Sequence, residues 1–62
     1  MLTPLQPTMQ QWEYTIEPNY SKFPSQKTLS LFGDEGWELV SIIPGHDEAI
    51  WLLYFKRPKP QQ

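Results

Sequence analysis

The side chains best suited to acid–base or metal chemistry stand together at one point of the sequence, where His46 is followed by Asp47 and Glu48. A general base works on a positioned acid or nucleophile, and zinc takes three or four ligands from histidine, cysteine or carboxylates. His46 is the only histidine among the 62 residues, and there is no cysteine. Pro44 and Gly45, just before it, are typical of turns. We therefore expect a solvated turn here, with no catalytic residue, bound metal or cofactor.

Aromatic residues near basic ones form a second group, because such residues can stack on the bases of single-stranded nucleic acid. The group comprises Trp12, Tyr14, Trp51 and Tyr54, with Lys56, Arg57 and Lys59. In a small sheet, aromatic side chains more often form the core. The seven acidic residues bring the net charge to −2 and repel phosphate, so the sequence counts against a nucleic-acid partner.

Charged residues that could contact another protein form a third group. They are Asp34, Glu35, Glu38, Lys56 and Arg57. Asp34 and Glu35 are expected at the C-terminal end of a helix, where negative charge is unfavourable with the helix dipole. A positive neighbour, from this chain or from a partner, would compensate for them. Lys56 and Arg57 could instead belong to a solubilising tail that protects the end of the sheet.

Hydrophobic periodicity predicts the elements that carry these groups. Residues 11–17 alternate between apolar and polar, with Trp12, Tyr14 and Ile16 on one side, which is typical of a half-buried strand. Pro18 ends this strand, because proline has no N–H to donate to a neighbouring strand.

A weak helix is predicted over residues 25–35, directly after Pro24, which suits the first turn of a helix. Leu29 and Phe32 are spaced to pack together on the sheet. Gly36 can adopt the left-handed conformation that ends a helix, and we expect the chain to enter the central strand of the sheet at this point.

Two strands with apolar residues on both faces, over residues 36–43 and 50–56, complete the pattern, with a hairpin loop over residues 44–48. Strict alternation in the first of them places Trp37, Leu39, Ser41 and Ile43 on one face, and Glu38, Val40 and Ile42 on the other. The order strand, helix, strand, strand predicts an α+β fold, in which a small antiparallel three-stranded sheet has one helix packed on one face.

A single domain is expected over residues 11–57. Residues 1–10 contain two prolines and no charge, and they predict a flexible N-terminal arm. Residues 58–62 predict a flexible C-terminal tail, because prolines interrupt them.

One short helix cannot cover three strands on both faces, so the fold leaves an apolar face open. The residues expected on this face are Val40, Ile42, Trp51, Leu53 and Phe55. A second copy of the chain would cover it most simply, because a two-fold axis brings one surface against itself. We therefore expect a homodimer or a higher homo-oligomer. Sheet twist and the N-terminal arm could instead cover the face within one chain.

Three segments of the sequence carry a family resemblance. They are Trp12-Glu13-Tyr14, the run Phe32-Gly33-Asp34-Glu35-Gly36-Trp37-Glu38-Leu39-Val40-Ser41, and Tyr54-Phe55-Lys56-Arg57-Pro58. Together they resemble the short bacterial and phage proteins grouped as domain of unknown function family 4177, over roughly residues 11–58. The resemblance implies a small cytoplasmic protein and brings no catalytic residues with it.

The sequence favours a binding protein over an enzyme. It contains no nucleophile–base pair, phosphate-binding glycine loop or metal-ligand spacing. It has neither a long apolar run nor a signal-peptide pattern, so we expect a cytoplasmic protein without a membrane partner. We predict a non-enzymatic protein-binding or regulatory module that acts as a homo-oligomer on another protein, such as a phage-encoded or host-regulating factor. The alternative is a small-ligand binder with a metabolite or nucleotide pocket at the subunit interface.

Overall fold

The computed structural model describes residues 9–60, which form a three-stranded antiparallel sheet and one helix. The elements in chain order are β1 (Trp12–Asn19), α1 (Gln26–Gly33), β2 (Glu38–Pro44) and β3 (Trp51–Pro58). The predicted α+β class and the β-α-β-β order are confirmed. Most of the predicted N-terminal arm and the end of the predicted tail lie outside the described residues. The main-chain N–H of Lys59 donates to the carbonyl of Gln11 at 2.8 Å, so pairing continues just beyond β3.

The strand at the centre of the sheet is β3, since the strand order is β1-β3-β2. The expectation that the strand after Gly36 is central was wrong. β3 has no proline before its last residue, Pro58, and can bond to a strand on each side. β2 ends in Pro44 and contains an irregularity, and both features are typical of an edge strand.

A β-bulge in β2 changes the sides to which its residues point. Leu39 lies opposite Phe55 and Ser41 lies opposite Tyr54, so Val40 is an extra residue between two paired ones. Beyond the bulge, Ile42 falls on the same face as Leu39, contrary to the strict alternation expected from the sequence.

The helix begins and ends at recognisable capping residues. The Ser25 hydroxyl accepts a hydrogen bond from the N–H of Thr28 at 3.1 Å, as an N-cap does. At the other end, the N–H of Trp37 donates to the carbonyl of Phe32 at 3.0 Å, and the N–H of Gly36 donates to that of Gly33 at 2.9 Å. Gly36 has a φ of 89°, which confirms the predicted left-handed cap.

The core lies between α1 and the sheet and is small. Leu53 and Phe55, both 1% exposed, are the only fully buried hydrophobic side chains among residues 9–60. The ring of Phe32 stacks on that of Phe55, with centroids 4.3 Å apart and planes inclined by 13°. The prediction that Leu53 and Phe55 line the uncovered face was therefore wrong, because the register of β3 turns both of them toward the helix.

β1 turns its polar side toward the helix face of the sheet. Thr15 lies opposite Phe55 and Glu17 lies opposite Leu53, so these two polar residues share the face of the core. The helix lies nearest to β2, at the other side of the sheet, and leaves this side of β1 partly open to water. The Thr15 hydroxyl donates to the Glu17 carboxylate at 2.8 Å. The apolar side of β1 consequently faces away from the core.

Candidate functional site

The face of the sheet that lies away from α1 carries a group of exposed apolar side chains, and we call it the open face. Three cross-strand rows build it: Tyr14–Lys56–Glu38, Ile16–Tyr54–Ser41 and Pro18–Leu52–Ile43. Trp12 extends it at one end, and Val40 adds to it at the bulge. Residues that lie directly opposite each other on neighbouring strands share a face, so the register fixes the three rows. Val40 has no paired residue, and its assignment to this face rests on its 52% exposure.

Exposed hydrophobic side chains dominate the open face. The exposed fraction is 65% for Tyr14, 51% for Ile16, 52% for Val40 and 38% for both Trp12 and Ile43. Single exposed hydrophobic residues are common on proteins, but a contiguous group of them marks a binding surface.

Two opposite charges lie at one end of the open face and do not bind each other. Lys56 and Glu38 are cross-strand neighbours, yet the ion pairs among residues 9–60 do not include them. The Lys56 ammonium instead lies 4.4 Å from the centroid of the Trp12 ring, over β1. The positive charge is thus displaced toward one edge of the sheet, and the negative charge stays at the other.

The helix side of the sheet carries a different cation, Arg57, whose guanidinium makes three contacts within the chain. It is ion-paired with Glu13 and donates a hydrogen bond to the carbonyl of Glu35 at 2.8 Å. It also lies 4.2 Å from the centroid of the Trp37 ring, within the range of a cation–π contact. Arg57 therefore joins β1, β3 and the turn after the helix.

No protein-family model matches the chain. Searches of curated proteins and of solved structures give no significant match either. The resemblance to domain of unknown function family 4177 stays a prediction. In residues 9–60, no helix has the length and apolar character needed to cross a membrane.

The predicted oligomer interface falls on both sides of the sheet. Val40 belongs to the open face, whereas Ile42 lies opposite Leu53 and shares its helix side. Trp51 is half-buried, and the Lys22 ammonium lies 5.7 Å from the centroid of its ring. Alternation along β3 places Trp51 on the helix side as well. The bulge and the register, which depend on contacts between strands, divide this group.

The predicted interface left out most of the open face, including Tyr14, Ile16 and Ile43, and also Trp12, Leu52 and Tyr54. The available signal was the clean alternation of residues 11–17, which put Tyr14 and Ile16 on one side. Alternation shows which residues share a face, but it does not show whether that face meets the helix.

The predicted partner-binding residues are likewise divided. Lys56 and Glu38 belong to the open face, and Arg57 is held on the helix side. A cation near the acidic end of the helix was expected and is found in Arg57, although it contacts the main chain of Glu35 and not its carboxylate. Asp34 is exposed beside it.

A shallow hollow of about 290 Å³ lies on the helix side, lined by Leu31, Phe32 and Glu35. Leu31 is 60% exposed at its rim. The hollow therefore joins an apolar wall to the acidic end of the helix.

The loop between β2 and β3 uses its polar groups to form a turn. The N–H of Gly45 donates to the carbonyl of Ile50 at 2.8 Å, and the Asp47 carboxylate accepts from the N–H of Ala49 at 3.0 Å. His46 and Glu48 are exposed. Within residues 9–60, no three His, Asp or Glu side chains converge on a common point that could hold a metal ion.

Proposed function

We propose that this chain is a non-enzymatic binding module that associates with a second copy of itself through the open face and offers its helix side to another protein. The observation that carries the proposal is the contiguous exposure of Tyr14, Ile16, Val40 and Ile43 on a sheet face without a covering element among the described residues. Exposed apolar faces of this kind are typical of interfaces.

The size of the core supports association. Chains of about 60 residues bury only about 60% of their unfolded surface and commonly need a disulfide, a metal or a partner for stability. Here the sequence has no cysteine, and Leu53 and Phe55 are the fully buried hydrophobic residues of the described part. Covering the open face would bury the remaining exposed part of several side chains, which are 38–65% exposed. Each would contribute roughly half of the 1.5–3 kcal/mol that full burial gives. That gain, doubled by symmetry, can offset the roughly 4–15 kcal/mol that association costs in lost freedom.

The charge of the open face favours a protein over nucleic acid. Trp12, Tyr14 and Tyr54 do lie on this face and could stack on bases. A platform for single-stranded nucleic acid also needs a positive groove along the phosphates. The open face, as far as residues 9–60 define it, holds one cation, Lys56, and one acid, Glu38, so its charges cancel.

Light scattering after size exclusion tests self-association directly, with the chain at concentrations that span ordinary dimer affinities, on the order of micromolar. We expect a dimer, and we expect Ile16→Glu to give a monomer, because it places a charge in the middle of the apolar face. Leu31→Glu is the matched control, since Leu31 is 60% exposed on the other side of the sheet. A monomeric wild-type chain throughout, or equal effects of both substitutions, would contradict the proposal.

The helix side is proposed to bind a basic, apolar segment of another protein. The hollow beside Leu31 and Phe32 offers room for an aliphatic side chain, and Asp34 and Glu35 attract a neighbouring lysine or arginine. A peptide of alternating leucine and lysine, titrated into isotopically labelled protein, should shift the amide resonances of residues 31–35. The same peptide with glutamate in place of lysine is the control. Equal shifts with both peptides, or shifts on the open face alone, would count against this site.

A further inference from the structure

We propose that the second copy lies on the open face with its strands pointing in the same direction as those of the first, so that Lys56 of each copy meets Glu38 of the other. This inference rests on the proposed self-association and specifies its geometry. It is carried by the separation of the two charges across the face.

The positive and negative charges occupy opposite halves of the open face. Lys56 starts from the central strand, and its ammonium lies 4.4 Å from the centroid of the Trp12 ring on β1. Glu38 projects from β2, at the other edge of the sheet. Neither charge has a carboxylate or ammonium partner within the described residues.

A two-fold axis that brings two sheets face to face lies in the plane between them. If the strands of the two sheets are aligned to within about 30°, as is common, this axis runs nearly along the strands or nearly across them. An axis along the strands places β1 of one copy over β2 of the other. Each cross-strand row then lies over the corresponding row of the other copy. Lys56, displaced over β1, then meets Glu38 of the second copy, and the reverse contact forms by symmetry. Both charges gain a partner when they are removed from water.

An axis across the strands gives a poorer contact. It reverses the order of the rows, so that the row containing Lys56 lies over the row of Leu52 and Ile43. Both charges would then be buried against apolar side chains without a partner, which is costly.

The remaining rows suit the same arrangement. Tyr54, on the central strand, lies near the axis and meets its own copy. Ile16 of one copy lies over Ser41 of the other, next to Val40 at the bulge. Ile16 and Val40 are about half exposed in the single chain, at 51% and 52%. The interface thus has an apolar centre with two reciprocal charge pairs at one end, as core-and-rim interfaces do.

Two charge-reversing substitutions test this geometry, first as separate variants and then as a mixture of the two variants. Glu38→Lys and Lys56→Glu each place like charges opposite each other in a homodimer, and we expect each to weaken dimerisation about 30-fold or more. In an equimolar mixture the two variants complement each other at both charge pairs. Native mass spectrometry with one variant isotopically labelled should therefore show mainly the mixed dimer.

The mixture separates contacts between chains from contacts within one chain. Each variant has lost the attraction between its own residues 38 and 56, and mixing does not restore it. A gain of affinity in the mixture can arise only between the chains. The proposed geometry would be overturned if either variant alone formed a homodimer as tight as the wild type, or if the mixture gave only a statistical distribution of weak dimers. Self-association itself would still be supported in those cases, provided that the wild-type chain is a dimer in light scattering. A wild-type monomer would instead show that the proposed function itself fails.

Zero-length cross-linking of the wild-type chain gives a second test that needs no variant. A carbodiimide joins a carboxylate to an amine only when the two are in contact. In a mixture of ¹⁴N-labelled and ¹⁵N-labelled chains, we expect linked peptides that contain Lys56 of one isotope and Glu38 of the other. Cross-links between Lys56 and Glu38 of the same isotope alone would contradict the proposed arrangement.

Discussion

The two faces of the sheet use the same three strands in opposite ways. On the helix side, polar residues of β1 lie beside the core, and Arg57 satisfies Glu13 and the carbonyl of Glu35. On the open face, the apolar residues of β1 and β2 have no covering element within residues 9–60, and the charges of Lys56 and Glu38 are separated. The helix side holds the single chain together, whereas the open face is suited to holding two chains together. Substitutions on each face should therefore change different measurements.

The largest difference in the free energy of unfolding is expected between the variants Phe55→Ala and Tyr14→Ala. Phe55 is 1% exposed and stacks on Phe32, so its truncation should cost about 3–5 kcal/mol of the free energy of unfolding. Tyr14 is 65% exposed, and its truncation should leave the unfolding of the monomer within about 0.5 kcal/mol of the wild type. Urea unfolding followed by circular dichroism at low protein concentration measures both. Similar losses for the two variants would remove the distinction between the faces.

Two glycines at the end of the helix, Gly33 and Gly36, allow matched alanine substitutions whose effect on the free energy of unfolding is expected to be smaller. Gly36 has a φ of 89°, and an alanine there should cost about 1–2 kcal/mol because its Cβ meets the following carbonyl oxygen. Gly33, at the end of the helix, has open space where an alanine would place its Cβ, so Gly33→Ala should stabilise the chain by up to about 1 kcal/mol. Thermal unfolding compares the two. A stabilising Gly36→Ala would show that the cap does not fix the helix on the sheet.

The smallest change in the free energy of unfolding is expected for two neighbouring cations, Arg57 and Lys56, which lie on opposite faces of the sheet. Arg57→Ala should lower the free energy of unfolding by about 1 kcal/mol, because it removes a part-exposed ion pair and a hydrogen bond to a main-chain carbonyl. Lys56→Ala should change unfolding by a few tenths of a kcal/mol and should mainly weaken dimerisation. Unfolding of the monomer and light scattering of the dimer, on the same two variants, distinguish these outcomes. Equal destabilisation of the monomer by Lys56→Ala and Arg57→Ala would contradict the different roles given to the two cations.

Local features of the fold were predictable because their causes lie within a few residues. Alternation over residues 11–17 predicted β1, and Gly36 predicted the left-handed cap. The expected end of β1 at Pro18 was wrong: β1 is an edge strand, where proline is tolerated, and it continues to Asn19. Pro24 indicated where the helix begins to within two residues, since Ser25 is the N-cap and α1 starts at Gln26. In each case the sequence itself contains the residues that make the structure.

The division of residues between the two faces was not predictable, because it depends on contacts between distant segments. Nothing in residues 36–43 marks Val40 as the extra residue, and the bulge appears only when β2 is paired with β3. In the same way, the register of β1 on β3 decides that Thr15, and not Tyr14, lies beside Phe55. The candidate interface therefore included Leu53 and Phe55, which the structure places in the core.

The bulge at Val40 also limits the way in which copies of this chain can assemble. An unpaired sheet edge invites the edge of another copy, and such pairing can continue without limit into fibres. In β2, the extra residue disturbs the outer row of hydrogen-bonding groups, and Pro44 removes a donor at its end. Association through the open face, by contrast, is complete once two copies have met. The irregular β2 edge thus leaves β1 as the one regular edge among the described strands, and without a second regular edge the pairing of edges does not continue into a fibre.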